Sequence, residues 1–174
     1  MKMEELRRMI RDVADFPQKG IVFKDITPLL GDPQTFRKAI DVMAQPLRSR
    51  DFDLLLGIES RGFLFASVLA YQLGKGTVPV RKPGKLPAQT VRISYDLEYG
   101  SDSLEIHEDA VRGGQRVVIV DDVLATGGTA RGVADLVQKV GGEVEAFSFL
   151  IELDFLKGRE KLAGYEICSV LNYL

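Results

Sequence analysis

The sequence has few of the residues on which many functional sites depend, with one cysteine, one histidine and no tryptophan among 174 residues. A single cysteine, Cys168, excludes an internal disulfide and a zinc site of the usual cysteine-based kind. Cys168 lies in an apolar run, which favours a small buried side chain over a reactive thiol. A single histidine, His107, disfavours histidine-dependent triads and histidine-cluster metal sites. The chemistry of a site in this chain must therefore rest on carboxylates, cations, hydroxyls and backbone groups.

Long apolar runs and a strong net charge are also missing. Residues 1–6 have no apolar core of the signal-peptide kind, and no stretch approaches the roughly 18 apolar residues of a membrane-spanning helix. These features predict a cytoplasmic protein without a membrane partner. Lys and Arg number 23 against 25 Asp and Glu, so the net charge is −2. No nucleic-acid partner is expected, because nucleic-acid-binding domains are usually strongly basic.

The order of apolar patterns predicts a single α/β domain. Helical spacing covers residues 4–13, and Asp32-Pro33 begins a helix predicted to reach about Arg48. Strands are predicted at residues 54–58, 77–81, 117–121, 144–151 and 165–171, with helices at residues 63–73, 129–140 and near 154–162. This alternation requires crossover connections, and it predicts a doubly wound, mostly parallel sheet with helices on both faces. Pro79 makes its strand an edge strand or an irregular one.

Two loops lie where such folds bind ligands, at the carboxyl ends of strands. They are residues 59–62 and 122–128. The segment between them separates its charges. Four cations in residues 81–92 (Arg81, Lys82, Lys85 and Arg92) precede six acids in residues 94–109. Within this segment, residues 91–97 and 103–107 flank Tyr99-Gly100-Ser101 and predict a β-hairpin.

Residues 121–129 combine two carboxylates with a loop of small residues and the start of a helix. Glycines let the backbone approach an anion, and the helix start adds free N–H groups and a positive dipole end. Thr126 and Thr129 add hydroxyl donors. Asp121 and Asp122 suit a vicinal diol, because carboxylates accept hydrogen bonds from hydroxyls. The pattern predicts a ribose 5-phosphate site. The alternative is a capped helix after a parallel strand, with the acids holding loop amides.

Residues 117–129 resemble the signature of the type I phosphoribosyltransferases, which bind 5-phosphoribosyl 1-pyrophosphate. Four further stretches, residues 16–28, 57–63, 81–87 and 97–100, are similar to those of the adenine-specific branch of that family. The similarity runs from about residue 16 to residue 162 and includes Ile151-Glu152-Leu153 and Lys157-Gly158-Arg159-Glu160. Small departures, none of which removes a functional group, are Lys24, Ala66, Pro83 and Val123.

The resemblance implies a fold, a reaction and partners. The fold is a single domain over residues 1–174, with an N-terminal hood over residues 1–30 and a flexible hairpin lid over residues 82–105. The reaction joins adenine and 5-phosphoribosyl 1-pyrophosphate to give AMP and pyrophosphate in purine salvage. The resemblance implies Mg²⁺ carried by the substrate rather than held mainly by protein side chains. It also implies a homodimer in which Arg81 reaches into the neighbour's site.

The resemblance also implies site residues. The ribose 5-phosphate would be bound by Asp121, Asp122, Ala125, Thr126, Gly127, Gly128 and Thr129. Pyrophosphate would be bound by Glu59, Ser60, Arg61, Arg81, Lys82 and Lys85. Adenine would be bound by Val22, Phe23, Lys24 and Val123. The catalytic residues would be Arg61, Asp121, Asp122 and the lid residue Glu98, which acts with Tyr99.

Plainer alternatives stay open for several of these residues. The cations can form a solvated charge run, Glu98 can be one more solvated acid, and Phe23 can belong to the core. At the level of function, the same fold could use a 6-oxopurine: xanthine, hypoxanthine or guanine. It could also serve as a regulator that senses phosphoribosyl compounds. A phospho-acceptor domain fits less well, because the Gly-Gly-Thr helix start is not part of that design.

Overall fold

The structure is a computed structural model that describes residues 2–96 and 101–174. The chain divides into two compact units, Met1–Val42 and Met43–Leu174. Among the described residues, no helix is both long enough and apolar enough to cross a membrane. The prediction of one domain over residues 1–174, with a hood over residues 1–30, stays a prediction.

The first unit contains two short helices, a two-stranded ladder and most of a third helix. These elements are α1 (Lys2–Arg8), β1 (Arg11–Ala14), β2 (Val22–Asp25), α2 (Thr27–Gly31) and α3 (Pro33–Ala44). Strands β1 and β2 are antiparallel, with Arg11 opposite Asp25 and Ala14 opposite Val22. Cross-strand ion pairs join Arg11 to Asp25 and Lys24 to Asp12.

The predicted helix over residues 4–13 is wrong beyond Arg8, because the chain turns and continues as β1. The helical spacing came from Leu6, Met9, Ile10 and Val13, of which Leu6 and Ile10 are buried. Val13 instead faces Phe23 across the ladder. Pairing with β2 supplies the backbone partners and two ion pairs, and these outweigh a weak local helix preference.

The predicted start of the next helix at Asp32-Pro33 is confirmed. Asp32 Oδ1 accepts hydrogen bonds from the backbone N–H of Thr35 at 2.7 Å and from its hydroxyl at 2.5 Å. The α-helix ends at Ala44, earlier than predicted, and a 3₁₀ turn follows at Gln45–Leu47. Pro46 explains the change, because proline has no N–H for the next helical hydrogen bond.

We predict that Asp25→Asn destabilises the protein at neutral pH and not in acid. The hydroxyl and backbone N–H of Thr27 and the Arg11 guanidinium hold the pKa of Asp25 at about 2 rather than 3.8. A lowered carboxyl pKa contributes stability above the unfolded value, and that contribution is lost as pH falls towards the folded value. The variant should lose about 1–2 kcal/mol of unfolding free energy at pH 6.

Denaturant unfolding of Asp25→Asn and wild type at pH 6, 4 and 3 measures this effect. The difference should shrink below pH 4. The exposed carboxylate Asp109 gives a control variant, Asp109→Asn, which should show no such trend. A difference that is constant with pH would contradict this account of Asp25.

The second unit contains five sheet strands, a separate hairpin and three helices. In chain order these are β3 (Leu54–Ile58), α4 (Gly62–Leu73), β4 (Gly76–Val80), β5 (Thr90–Asp96), β6 (Ser101–His107), β7 (Arg116–Leu124), α5 (Gly128–Lys139), β8 (Glu143–Leu153), α6 (Gly158–Lys161) and β9 (Glu166–Tyr173). A 3₁₀ turn, Asp154–Leu156, precedes α6. The sheet order is β4-β3-β7-β8-β9 with every pair parallel. The predicted doubly wound α/β fold is confirmed.

The sequence explains these elements. The apolar runs of β3, β7 and β8 are buried, as in strands covered on both faces. Gly74 ends α4 in the left-handed conformation with φ of 66°. Pro79 lies in β4, the edge strand, as predicted.

The predicted hairpin is present as β5 and β6. The two strands are antiparallel, from Thr90 opposite His107 to Asp96 opposite Ser101. Leu104 and Ile106 of β6 are buried, so the hairpin contributes to the core of the second unit. Residues 97–100, which include Glu98 and Tyr99, lie outside the described residues.

Strand β7 is longer than predicted. We expected it to end at Asp121 with a loop over residues 122–128, but it continues to Leu124. Val123 and Leu124 pair with Ile151 and Glu152 of β8, and this pairing extends the strand. Both aspartates therefore lie on a rigid strand rather than on a loop.

Candidate functional site

A cavity lies where β7 meets α5. Its volume is about 80 Å³, and it is lined by Asp121, residues 123–130 and Phe149. Gly127 immediately precedes α5 and has a φ of +79°, a conformation that favours glycine. The first N–H groups of a helix have no partner within the helix, so they are available to an anion. We call residues 125–129 the cradle. Of the predicted 5-phosphate residues, Asp121 and residues 125–129 line this cavity, and Asp122 lies next to it on β7.

The two aspartates lie beside the cradle in an environment that disfavours their charge. Asp122 is buried, and its backbone N–H donates to Asp121 Oδ1 at 2.9 Å. Burial, followed by repulsion from Asp122, raises the pKa of Asp121 well above its usual range. Burial also raises the pKa of Asp122, although the nearby Arg61 guanidinium opposes it. Two adjacent carboxylates of this kind favour partners that donate hydrogen bonds or carry positive charge.

Arg61 reaches Asp122 from the start of α4. Its Nε lies 2.9 Å from Asp122 Oδ2, and the arginine side chain is 37% exposed. Gly62 makes this approach possible. A Cβ there would lie 2.6 Å from the Val120 carbonyl oxygen and 3.1 Å from Asp121 Oδ1. The glycine therefore lets α4 pack against β7 and places a cation beside the buried aspartate.

The ends of β3 and β4 are joined by Glu59. Its Oε2 accepts the backbone N–H of Lys82 at 2.7 Å and faces the Arg81 Nε at 3.3 Å. Burial raises the pKa of Glu59, but these two donors outweigh it, so the pKa is lowered overall. Glu59 therefore fixes the start of the basic segment in place.

Three of the predicted pyrophosphate cations, Arg61, Arg81 and Lys82, are paired with carboxylates rather than simply solvated. The Lys82 amino group binds Asp102 of β6. Burial lowers the pKa of Lys82, but the hydrogen bond with Asp102 and neighbouring negative charge raise it overall. The Arg81 guanidinium lies 5.8 Å from the centre of the Phe63 ring. Ser60 and Lys85 are exposed.

The predicted adenine residues lie in both units. Val22, Phe23 and Lys24 belong to β2, where the Phe23 ring packs edge-on against Phe16 with centres 5.2 Å apart. Val22 is 48% exposed. Val123 lines the cavity of the second unit. The sequence prediction of an adenine role for these residues stays a prediction.

Sequence reasoning missed Tyr95, which packs the hairpin against α5. Its ring packs against α5, where a Cβ on Gly132 would lie 2.9 Å from Tyr95 Cδ1. Burial raises the pKa of Tyr95, and the nearby Thr129 of the cradle opposes this in part. An isolated glycine in a helical pattern was the only signal, and it does not identify the partner.

The described residues contain no group of three or more histidine, cysteine or acidic side chains that could hold a metal ion. Asp121 lines the cavity beside the cradle, and Asp122 follows it on β7. Mg²⁺ commonly binds through one or two carboxylates together with substrate phosphates. The residues present therefore fit a Mg²⁺ ion that arrives with a phosphorylated substrate.

Comparisons with known proteins agree with this geometry. The model of the phosphoribosyl transferase domain matches residues 27–162. The chain is 60% identical over 173 residues to an adenine phosphoribosyltransferase of Thermoanaerobacter sp. (strain X514), covering 99% of this chain and 100% of that protein. It is 57% identical over 169 residues to an adenine phosphoribosyltransferase of Thermotoga neapolitana, covering 97% and 99%.

Solved structures are similar over almost the whole chain. The adenine phosphoribosyltransferase of Thermoanaerobacter pseudethanolicus superposes with a TM-score of 0.96 at 58% identity, covering 98% of this chain and 99% of that one. The Saccharomyces cerevisiae enzyme, complexed with an imino-altritol bisphosphate and adenine, superposes with a TM-score of 0.91 at 40% identity, covering 98% of each chain.

Proposed function

The chain belongs to the phosphoribosyltransferase family, and from that premise we propose that it transfers the 5-phosphoribosyl group of 5-phosphoribosyl 1-pyrophosphate to adenine. The products are AMP and pyrophosphate, as in purine salvage. The observation that carries the proposal is the cavity at the end of β7, where an anion cradle adjoins two aspartates. The adenine specificity is supported by the relatives named above.

In this proposal the cradle binds the 5-phosphate. Backbone N–H groups at the start of α5 donate to its oxygens, and the hydroxyls of Thr126 and Thr129 add two donors. Asp121 and Asp122 accept hydrogen bonds from the ribose 2- and 3-hydroxyls. Loss of pyrophosphate leaves positive charge on the ribosyl ring, as in glycoside chemistry. The negative charge of the two aspartates is disfavoured in the free protein. It stabilises the positive charge on the ribosyl ring as that charge develops.

Pyrophosphate leaves towards the basic loops. Arg61 and Lys82 bind its oxygens together with Arg81, which the proposed dimer brings in from the neighbouring protomer. Glu59, Ser60 and Lys85 complete the loop set. For this, Arg81 must leave Glu59 and Lys82 must leave Asp102, so the phosphate oxygens replace carboxylates as acceptors. When bound, Mg²⁺ carried by the substrate would neutralise charge on the leaving group, and Asp121 and Asp122 are the carboxylates that would hold it.

We also propose the base site that the resemblance implies. Phe23 and Val123 hold the adenine ring, the Val22 backbone reads its edge, and Lys24 lies beside it. Glu98 exchanges a proton with the base, and Tyr99 acts with it in closing the site. A closed site excludes water, which matters because hydrolysis competes with transfer.

A homodimer is part of the proposal. Leu64 and Tyr71 lie on one face of α4, seven residues apart, and are 45% and 91% exposed. Exposed apolar side chains on one helix face are typical of an interface. Analytical ultracentrifugation should show a dimer, and Leu64→Glu should shift it towards a monomer. A wild-type monomer at assay concentration would contradict this part. The cytoplasmic location stays a prediction.

The proposed reaction is tested by measuring both products. Purified protein is mixed with adenine, 5-phosphoribosyl 1-pyrophosphate and Mg²⁺, and AMP and pyrophosphate are quantified. We expect them in equal amounts, with no product when Mg²⁺ is chelated. Release of pyrophosphate without AMP would mean that the protein only hydrolyses the activated ribose, and the proposal would be wrong.

A further inference from the structure

We propose that Glu152 and Arg159 are positioning residues for the 5-phosphate. They hold the turn at Lys157 and Gly158 against the back of the cradle, without reaching the cavity themselves. This inference rests on the proposed function, because it takes the cradle to be the phosphate site.

The first observation is a close backbone contact between the cradle and Gly158. A Cβ on Gly158 would lie 2.3 Å from the Ala125 carbonyl oxygen, and a Cβ on Gly127 would lie 2.4 Å from the Gly158 carbonyl oxygen. Neither segment can carry a side chain at this point. The position of Gly158 therefore sets how the Ala125 and Gly127 backbone is placed, and with it the N–H groups that face an anion.

The second observation is that the turn needs support. Lys157 has a φ of +54°, a left-handed conformation that is unfavourable for a residue with a Cβ. Its N–H donates to the Asp154 carbonyl at 3.0 Å, and α6 starts at the next residue. A strained turn of this kind persists only where surrounding contacts hold it.

Hydrogen bonds among Glu152, Arg159 and Ser169 supply that support. Arg159 donates from Nε to Glu152 Oε1 at 2.5 Å and from Nη2 to Glu152 Oε2 at 2.8 Å. Ser169 of β9 donates to Glu152 Oε2 at 2.5 Å and accepts from Arg159 Nη2 at 3.0 Å. A two-pronged arginine pair fixes direction as well as distance. The turn is therefore anchored to the end of β8 and to the middle of β9.

The anchor point is itself fixed relative to the cradle. Glu152 is 3% exposed, and its backbone lies opposite Leu124, the last residue of β7 before the cradle. Burial raises the pKa of Glu152, but Arg159 and Ser169 lower it overall, so the carboxylate stays charged. Removing the partner of a buried charge is costly, whereas replacing both partners by apolar groups is often neutral for stability. A double variant can therefore lose the positioning of the cradle while keeping the stability of the fold.

The test compares Arg159→Met, Arg159→Lys, Ser169→Ala and the double variant Glu152→Leu/Arg159→Met. The control is Arg116→Met, because Arg116 pairs with Glu145 at the other end of β8. Readouts are KM for each substrate, kcat, the dissociation constant of ribose 5-phosphate by calorimetry, and the unfolding midpoint.

We expect Arg159→Met and the double variant to raise the KM for 5-phosphoribosyl 1-pyrophosphate and the ribose 5-phosphate dissociation constant by about 10-fold, since the N–H groups are displaced from the phosphate. The KM for adenine should change less than twofold. Arg159→Lys should recover part of the loss, and Ser169→Ala should show a smaller loss in the same direction. Arg116→Met should change the unfolding midpoint and neither phosphate readout.

Unchanged phosphate readouts in the double variant would overturn the inference, as would equal losses in Arg116→Met. If Arg159→Met does not fold, Arg159→Lys and Ser169→Ala test the inference instead. The readouts are again the KM for 5-phosphoribosyl 1-pyrophosphate and the dissociation constant of ribose 5-phosphate. The proposed function can be refuted independently of this inference. A wild-type protein that binds ribose 5-phosphate but makes no AMP would refute the reaction, while the calorimetry would still test the positioning.

Discussion

The Asp122→Asn variant should lose about 10²- to 10³-fold in kcat/KM for 5-phosphoribosyl 1-pyrophosphate, the size expected when one fixed electrostatic group is removed. The change keeps the shape of the side chain and removes its negative charge. Asp122 lies on β7 and contacts Arg61, so its position does not depend on a loop. Most of the loss should fall on kcat, because the positive charge on the ribosyl ring is largest in the transition state. Initial rates over both substrates measure the effect.

The same variant should be at least as stable as wild type near pH 8. Burial raises the pKa of both Asp121 and Asp122, so their ionised forms destabilise the folded state at high pH. This destabilisation is lost as pH falls through the raised folded values towards the ordinary value for aspartate. The stability advantage of the variant should therefore shrink in denaturant unfolding as pH falls from 8. Wild-type activity in Asp122→Asn would show that the diol assignment is wrong.

The Arg61→Ala variant should lose about 10²-fold or more in kcat/KM, because its guanidinium is placed to meet the leaving pyrophosphate. Arg61→Lys should recover a small part, since lysine keeps the charge but not the planar fork. Arg112→Ala is the control for net charge, because this exposed arginine precedes the start of β7, at the opposite end from the cradle.

A double variant separates two roles for Arg61. If it contacts pyrophosphate, Arg61→Ala/Asp122→Asn should be at least 10-fold less active than either single variant. If the arginine only neutralises Asp122, the double variant should match Asp122→Asn. We expect the first result, and the second would remove Arg61 from the pyrophosphate site.

Much of the second unit follows from its sequence pattern. The apolar runs predicted the five parallel strands, and residues 121–129 predicted an anion site after β7. These features are local, because an apolar run or a glycine before a helix has the same meaning in many folds. The cavity between Asp121 and α5 is where that pattern put it.

Features that depend on distant partners were not predictable. The helix expected over residues 4–13 ends at Arg8, and the chain continues as β1 because a partner strand lies about ten residues further on. The pairing of Lys82 with Asp102 and the contact of Gly158 with Ala125 join residues that are twenty or more positions apart. No local pattern marks such contacts, and the folded sheet alone brings them together.

A competition assay among purine bases tests the central claim most directly. Adenine, hypoxanthine, guanine and xanthine are mixed at equal concentration with 5-phosphoribosyl 1-pyrophosphate, Mg²⁺ and the protein, and each nucleotide is quantified at early times. A site that hydrogen-bonds a 6-amino group leaves a buried carbonyl unpaired when a 6-oxo base enters. We predict AMP in at least about 100-fold excess over every other nucleotide. Preferential formation of IMP, GMP or XMP, or no nucleotide at all, would contradict the account.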